Sequence, residues 1–117
     1  MAIVTITVEN DADFYRGFVY QTTSGAPIDL TGSTMRMMLR RNATDVTALL
    51  SLSSDVGEGI AITSATGGTF TVLITQAQLE QLPLDTYAHS LIMTNISSGL
   101  QTRIWNGTLT NLAGPSR

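Results

Sequence analysis

Along most of the chain apolar and polar residues alternate one by one. Over residues 3–8, Val4, Ile6 and Val8 fall on one side and Ile3, Thr5 and Thr7 on the other, the period of two that marks a half-buried strand. Residues 9–13 break the pattern. A second strand is predicted over residues 14–21, with Phe14, Phe18 and Tyr20 in phase with Arg16, and with Gly17 marking a bulge or a close backbone approach. Turns follow at residues 24–27 and 28–32. The strand over residues 34–41 then puts Met35, Met37 and Leu39 on one face and Arg36, Met38 and Arg40 on the other, so both faces are used. Residues 46–52 form a shorter apolar segment, residues 53–59 a loop, and residues 60–63 lead into the Gly67-Gly68 turn. Residues 69–75 alternate cleanly, with Phe70, Val72 and Ile74 inward.

One helical signal interrupts the strands. Thr75 with Gln78 three residues on has capping-box spacing, Leu79 and Leu82 recur at i and i+3, and Pro83 stops the turn. A helix of one or two turns over residues 76–82 needs tertiary packing to persist. Residues 87–94 and 100–109 are long strands joined by residues 95–99, the pattern of a hairpin. Seven to nine strands with short turns predict an all-β fold, an antiparallel immunoglobulin-like β-sandwich, with a small jelly roll or barrel as the alternative. A single domain over residues 1–112 is expected, followed by an extended or mobile tail at residues 113–117.

Composition agrees and adds constraints. At 117 residues and 43% hydrophobic content, one core without disulfides suffices and intrinsic disorder is excluded. There is no cysteine and no apolar run long enough to span a membrane as a helix. Nothing at the start pairs a basic segment with an apolar one, so a cleaved secretion signal is not expected. The Asn-x-Ser/Thr matches at Asn42, Asn95 and Asn106 are then incidental.

Charged residues make up only 13% of the chain, all six basic residues are arginine, and eighteen threonines and ten serines supply polarity instead. A net charge of −3 argues against a phosphate-tracking surface and against nucleic acid as partner. Arg36, Arg40 and Arg41 form the one local basic cluster, suited to ion pairs within the fold or at an interface. Sheets commonly blunt their edges with lysine. This chain has none, so its edges are expected to be occupied by partners.

Catalytic chemistry has little to draw on. His89 is the single histidine, and its neighbour Ser90 points to the opposite face of the strand. His89 is in phase with Tyr87, Leu91 and Met93, which suits a packed structural role. The carboxylate pairs Asp11/Asp13 and Asp55/Glu58 carry no supporting signature, and residues 9–13 offer clustered oxygen ligands without the spacing of a calcium loop. The glycines at 57, 59, 67 and 68 lack the following Lys-Ser/Thr of a phosphate loop. No catalytic residue, metal or cofactor is therefore expected. Trp105, close to Arg103, fits either the core or an interface, where Trp and Arg are enriched.

Three separated stretches carry a resemblance: Ala26-Pro27-Ile28-Asp29-Leu30-Thr31-Gly32 leading to Met35-Arg36; Gly67-Gly68-Thr69-Phe70-Thr71-Val72 with Gln78-Leu79-Glu80-Gln81-Leu82-Pro83 and Tyr87; and Thr102-Arg103-Ile104-Trp105-Asn106-Gly107-Thr108-Leu109-Thr110. In this order they resemble small virion proteins of tailed bacteriophages and prophages, with a β-sandwich like the N-terminal domain of baseplate upper proteins. Asp85-Thr86 stands before Tyr87 where that group commonly has glycine. The resemblance implies a non-enzymatic structural component of a phage particle, an oligomeric adaptor in the tail, baseplate or fibre-attachment region. Its partners would be other virion proteins and copies of itself, with no nucleic acid, membrane or small-molecule substrate. It would be made in the host bacterial cytoplasm and reside in the virion. The expected interface residues are Arg36, Arg40, Arg41, Arg103 and Trp105. Alternatives are a capsid decoration or neck protein, and a receptor- or carbohydrate-binding module in which Trp105, Tyr87, Tyr15 or Tyr20 stacks on sugar rings.

Overall fold

The computed structural model describes residues 2–22 and 24–116. Its order is β1 (Ala2–Glu9), β2 (Phe14–Val19), β3 (Ser33–Arg40), β4 (Leu50–Ser53), β5 (Ile60–Ser64), β6 (Thr69–Ile74), α1 (Gln76–Gln81), β7 (Thr86–Asn95) and β8 (Gln101–Leu112). The strands form a five-stranded sheet ordered β1-β8-β7-β3-β4 and a three-stranded sheet ordered β2-β6-β5. The two pack face to face as a sandwich, with no closed barrel. All named strand pairs are antiparallel except β1 with β8, which run parallel from Ala2 opposite Trp105 to Glu9 opposite Leu112.

The alternation read from the sequence decides which residues fill the space between the sheets. Met35, Met37 and Leu39 of β3 meet Leu91 and Tyr87 of β7, Leu109 of β8, and Ile6 and Val8 of β1; Phe70, Val72 and Ile74 of β6 come from the facing sheet. Phe18, Phe70 and Trp105 form an aromatic cluster across the gap, with ring centroids 4.7 to 5.8 Å apart. These spacings favour offset and tilted ring contacts.

The end of the sandwich beyond β6 is closed by α1. Thr75 accepts from the Gln78 backbone N–H, and the Gln78 side chain accepts from the Thr75 N–H at 3.0 Å, completing the capping box. Only six residues long, the helix depends on its neighbours. Leu79 and Leu82 are buried, and Asn111 of β8, itself buried, donates its amide to the carbonyls of Leu79 at 2.9 Å and Leu82 at 3.2 Å. The buried Tyr87 hydroxyl donates to the Pro83 carbonyl four residues upstream. A tyrosine reaching back in this way at the corner before its strand is a feature of immunoglobulin-like sandwiches. Ahead of β3, the Thr31 hydroxyl and N–H hold the Asp29 carboxyl below the usual carboxylate range, and Gly32 takes φ 73° in the side-chain-capped turn the sequence predicts.

The expected bulge or close backbone approach at Gly17 is corrected, because β2 pairs with β6 in regular register through it and a Cβ there would meet nothing. Of residues 46–52 only the end is strand, because β4 starts at Leu50. Arg40 draws the preceding chain into a loop by donating to the carbonyls of Asp45 and Val46 at 3.1 and 2.7 Å, leaving the Val46 side chain in solvent. The segment at residues 113–116 is docked on the fold. Gly114 is buried and its N–H donates to Asn10 Oδ1 at 2.9 Å, while the Ser116 N–H reaches Asp11 Oδ2 at 3.3 Å. Arg117 lies outside the described residues.

Gly107 and Gly17 make a test of the packing. A Cβ on Gly107 would overlap the Val4 carbonyl and push β1 off β8, whereas a Cβ on Gly17 meets nothing. Gly107→Ala is expected to cost about 3 kcal/mol or more in urea unfolding. Gly17→Ala should stay within about 1 kcal/mol of the parent. Equal effects would contradict the β1–β8 pairing.

Candidate functional site

The outward face of the five-stranded sheet carries a groove of about 570 Å³ built on β3, β7 and β8. Strand register lays its lining out in rows. Arg36, Ile92 and Arg103 stand side by side in the first, Met38, Ser90 and Asn106 in the second, and Arg40, Ala88 and Thr108 in the third. All nine of these residues line the groove. The central strand contributes Ile92, Ser90 and Ala88, and the flanking strands carry the three guanidiniums.

A bulge in β8 makes this arrangement possible. Leu91 pairs with Trp105 and Ile92 with Arg103, so Ile104 is an extra residue between them. In an unbroken strand Arg103 and Trp105, two apart, would share a face. The inserted residue turns Trp105 inward and Arg103 outward, and Ile104 and Trp105 are both buried. Trp105 is therefore a core residue, 4% exposed against Phe18 and Phe70, and the expectation of it as an interface residue is corrected. The consecutive apolar pair Ile104-Trp105 in an otherwise alternating strand was the sequence signal for the bulge.

The arginines divide by what they touch. Arg36 donates to Gln101 Oε1 at 3.1 Å, and Arg40 spends its donors on backbone carbonyls. Among the described residues Arg103 makes no hydrogen bond or ion pair. Arg41 faces away from the groove lining and pairs with Asp85 at 3.3 Å, both half exposed. Among the described residues, no carboxylate neutralises any of the three guanidiniums in the groove, and no acidic residue lines it. Buried at its floor, Asn106 Oδ1 has no hydrogen-bond partner.

Acidic residues are placed otherwise. Each of Glu9, Asp11, Asp13, Asp29, Asp45, Asp55, Glu58, Glu80 and Asp85 lies in a loop, in α1 or at the last position of a strand. The clustered oxygens of residues 9–13 are engaged in holding the chain: Asp13 accepts from the Gln76 N–H at 2.7 Å, beside the Asn10 and Asp11 contacts to the C-terminal segment. Asp55 and Glu58 flank a tight turn that projects where the chain crosses between sheets, the Glu58 N–H donating to the Asp55 carbonyl at 3.0 Å.

His89 lies on the inner face opposite Gly107. It is 4% exposed, and both ring nitrogens are without a hydrogen-bond partner. Burial pulls the imidazole below its usual range, and the backbone of Thr108 and Val4 acts more weakly in the other direction. Of the four aromatic residues named for sugar stacking, Trp105 and Tyr87 are buried and Tyr20 is half-buried; Tyr15, 67% exposed, stands alone beside a second groove with Leu73 and Ala61.

At the sheet margin, β1 is an edge strand with Ile3, 80% exposed, Thr5 and Thr7 on its outward face. It has no lysine or proline and no charge before Glu9. Such an edge presents unpaired backbone groups to any strand that approaches.

No known family matches the chain, and no curated protein matches it. Among solved structures it is similar to the NK cell receptor NKp44, described as a triggering partner in natural cytotoxicity, with a TM-score of 0.56 and 11% identity over 95% of this chain and 99% of the receptor chain. It is also similar to the N-terminal domain of ORF48 of phage TP901-1, with a TM-score of 0.51 and 12% identity over 94% of this chain and 84% of that one. At these identities the likeness establishes the sandwich fold.

His89 sets a pH dependence. Because its folded pKa lies below the unfolded value near 6.5, the stability it contributes is complete above about pH 6.5 and falls as pH drops from there toward the folded pKa. Urea midpoints are expected to fall between about pH 7.5 and about pH 5.5, and His89→Leu should flatten that decline. An equal decline in both proteins would place the titrating group elsewhere.

Proposed function

We propose that the chain is a non-enzymatic structural component of a tailed-phage particle, a small adaptor of the tail, baseplate or fibre-attachment region that docks through its sheet edges and its arginine-lined face. The observation that carries this reading is the likeness to the TP901-1 ORF48 N-terminal domain across nearly the whole sandwich. The stretches read from the sequence agree with it, because they occupy structural positions in the fold. Asp29, Thr31 and Gly32 make the turn before β3, Leu79, Leu82 and Tyr87 close one end, and residues 102–110 form the bulged strand.

The physical properties of the surface support docking over chemistry. His89, the sequence's one candidate general base, is in the core. An exposed β1 edge offers main-chain hydrogen bonds to a neighbouring strand. Guanidiniums without carboxylate partners offer planar, bidentate recognition of a neighbour's carboxylates. The receptor reading retains one exposed aromatic, Tyr15, and is the weaker for it.

Mass spectrometry of particles purified from cells that encode the chain tests the proposal. The chain is expected to co-purify with tail proteins at a copy number of tens or fewer. Hundreds of copies per particle would instead make it a capsid decoration protein, and its absence from particles would refute a virion role.

A further inference from the structure

We propose that the arginine groove of one copy receives the turn at residues 55–58 of a second copy, so that the chain associates head to tail. The groove offers three guanidiniums, Arg36, Arg40 and Arg103, with no carboxylate among its lining residues, and between them the apolar side chains of Met38, Ala88 and Ile92 beside Ser90. Asp55 and Glu58 stand at the two shoulders of a tight turn whose tip, Val56, is fully exposed. Among the described residues neither carboxylate makes a hydrogen bond or an ion pair. The turn therefore presents two carboxylates around one apolar side chain, and the groove presents guanidiniums with apolar side chains between them. The two surfaces are complementary in charge and each includes apolar side chains.

Among the described residues no carboxylate of the same chain pairs with the groove's guanidiniums, and Arg103 makes no hydrogen bond at all. The turn does not line its own groove, since no residue of the turn is among the groove's. Groove against groove across a two-fold axis would oppose like charges, so the proposed contact joins two different patches, groove to turn, in the head-to-tail arrangement. Repeated, it closes into a ring or extends as a chain. This inference deepens the proposed role by naming the neighbour, and it can fail alone. A chain that is monomeric in solution yet present in particles would overturn the head-to-tail contact and leave the structural role intact. A self-associating chain absent from particles would do the reverse.

Sedimentation velocity on the purified chain at low and high salt, with two variants, tests it. The parent is expected to associate at low salt and to dissociate as ionic strength rises. Arg36→Ala/Arg103→Ala removes the groove's charges, and Asp55→Asn/Glu58→Gln removes those of the turn; all four side chains are exposed, so circular dichroism and thermal midpoints should match the parent. Each variant should associate roughly tenfold more weakly. Mixing the two restores one intact contact per pair, giving dimers and nothing larger. A monomeric parent at low salt, or association unchanged in both variants and governed by the sheet edge, would overturn the proposal.

Discussion

A single extra residue in β8, Ile104, decides what this molecule shows to its surroundings. Without it Trp105 and Arg103 would lie on the same face, and either an indole would stand in solvent or a guanidinium would enter the core. Burying an unpaired guanidinium is far more costly than burying an indole, so the strand bulges. Trp105 completes the aromatic cluster with Phe18 and Phe70, and Arg103 joins Arg36 across Ile92. Core and groove are thus two consequences of one register shift.

Charge is sorted by structural position. Arg16, Arg36, Arg40 and Arg103 sit within strands, and the acidic residues lie in loops, in the helix or at a strand end. A chain with a net charge of −3 consequently has a locally cationic sheet face. Arginine suits that position better than lysine, since its long apolar stem covers the sheet while the planar head stays available for paired hydrogen bonds. Threonine takes several of the other outward positions of β1 and β8, including Thr5, Thr7, Thr108 and Thr110. It supplies strand propensity without charge and leaves the β1 edge unguarded.

Much of the fold was legible because its determinants are local. The alternation in β3 and β6 specifies which side chains are buried, and the Thr75–Gln78 capping box lies within one turn of chain. What escaped sequence reading depends on partners distant along the chain. Asn111 caps a helix some thirty residues upstream, a polar choice in a strand that no local pattern explains. The contacts of the C-terminal segment are of the same kind, because Asn10 and Asp11, about a hundred residues upstream, hold Gly114 and Ser116. The arginines of the site were visible as residue types, but their grouping required the register of β3, β7 and β8. Arg41, adjacent to Arg40 in sequence, alternates away and pairs with Asp85.

The central claim is that the arginine-bearing outward face of the five-stranded sheet is covered in the assembled state while Arg16 on the opposite sheet is not. Arginine-directed footprinting with phenylglyoxal, read by mass spectrometry on the isolated chain and on the chain within purified particles, measures this residue by residue. Arg36, Arg40 and Arg103 should lose reactivity on assembly while Arg16, on the opposite sheet, keeps it. Equal labelling of all four in both states would contradict the account.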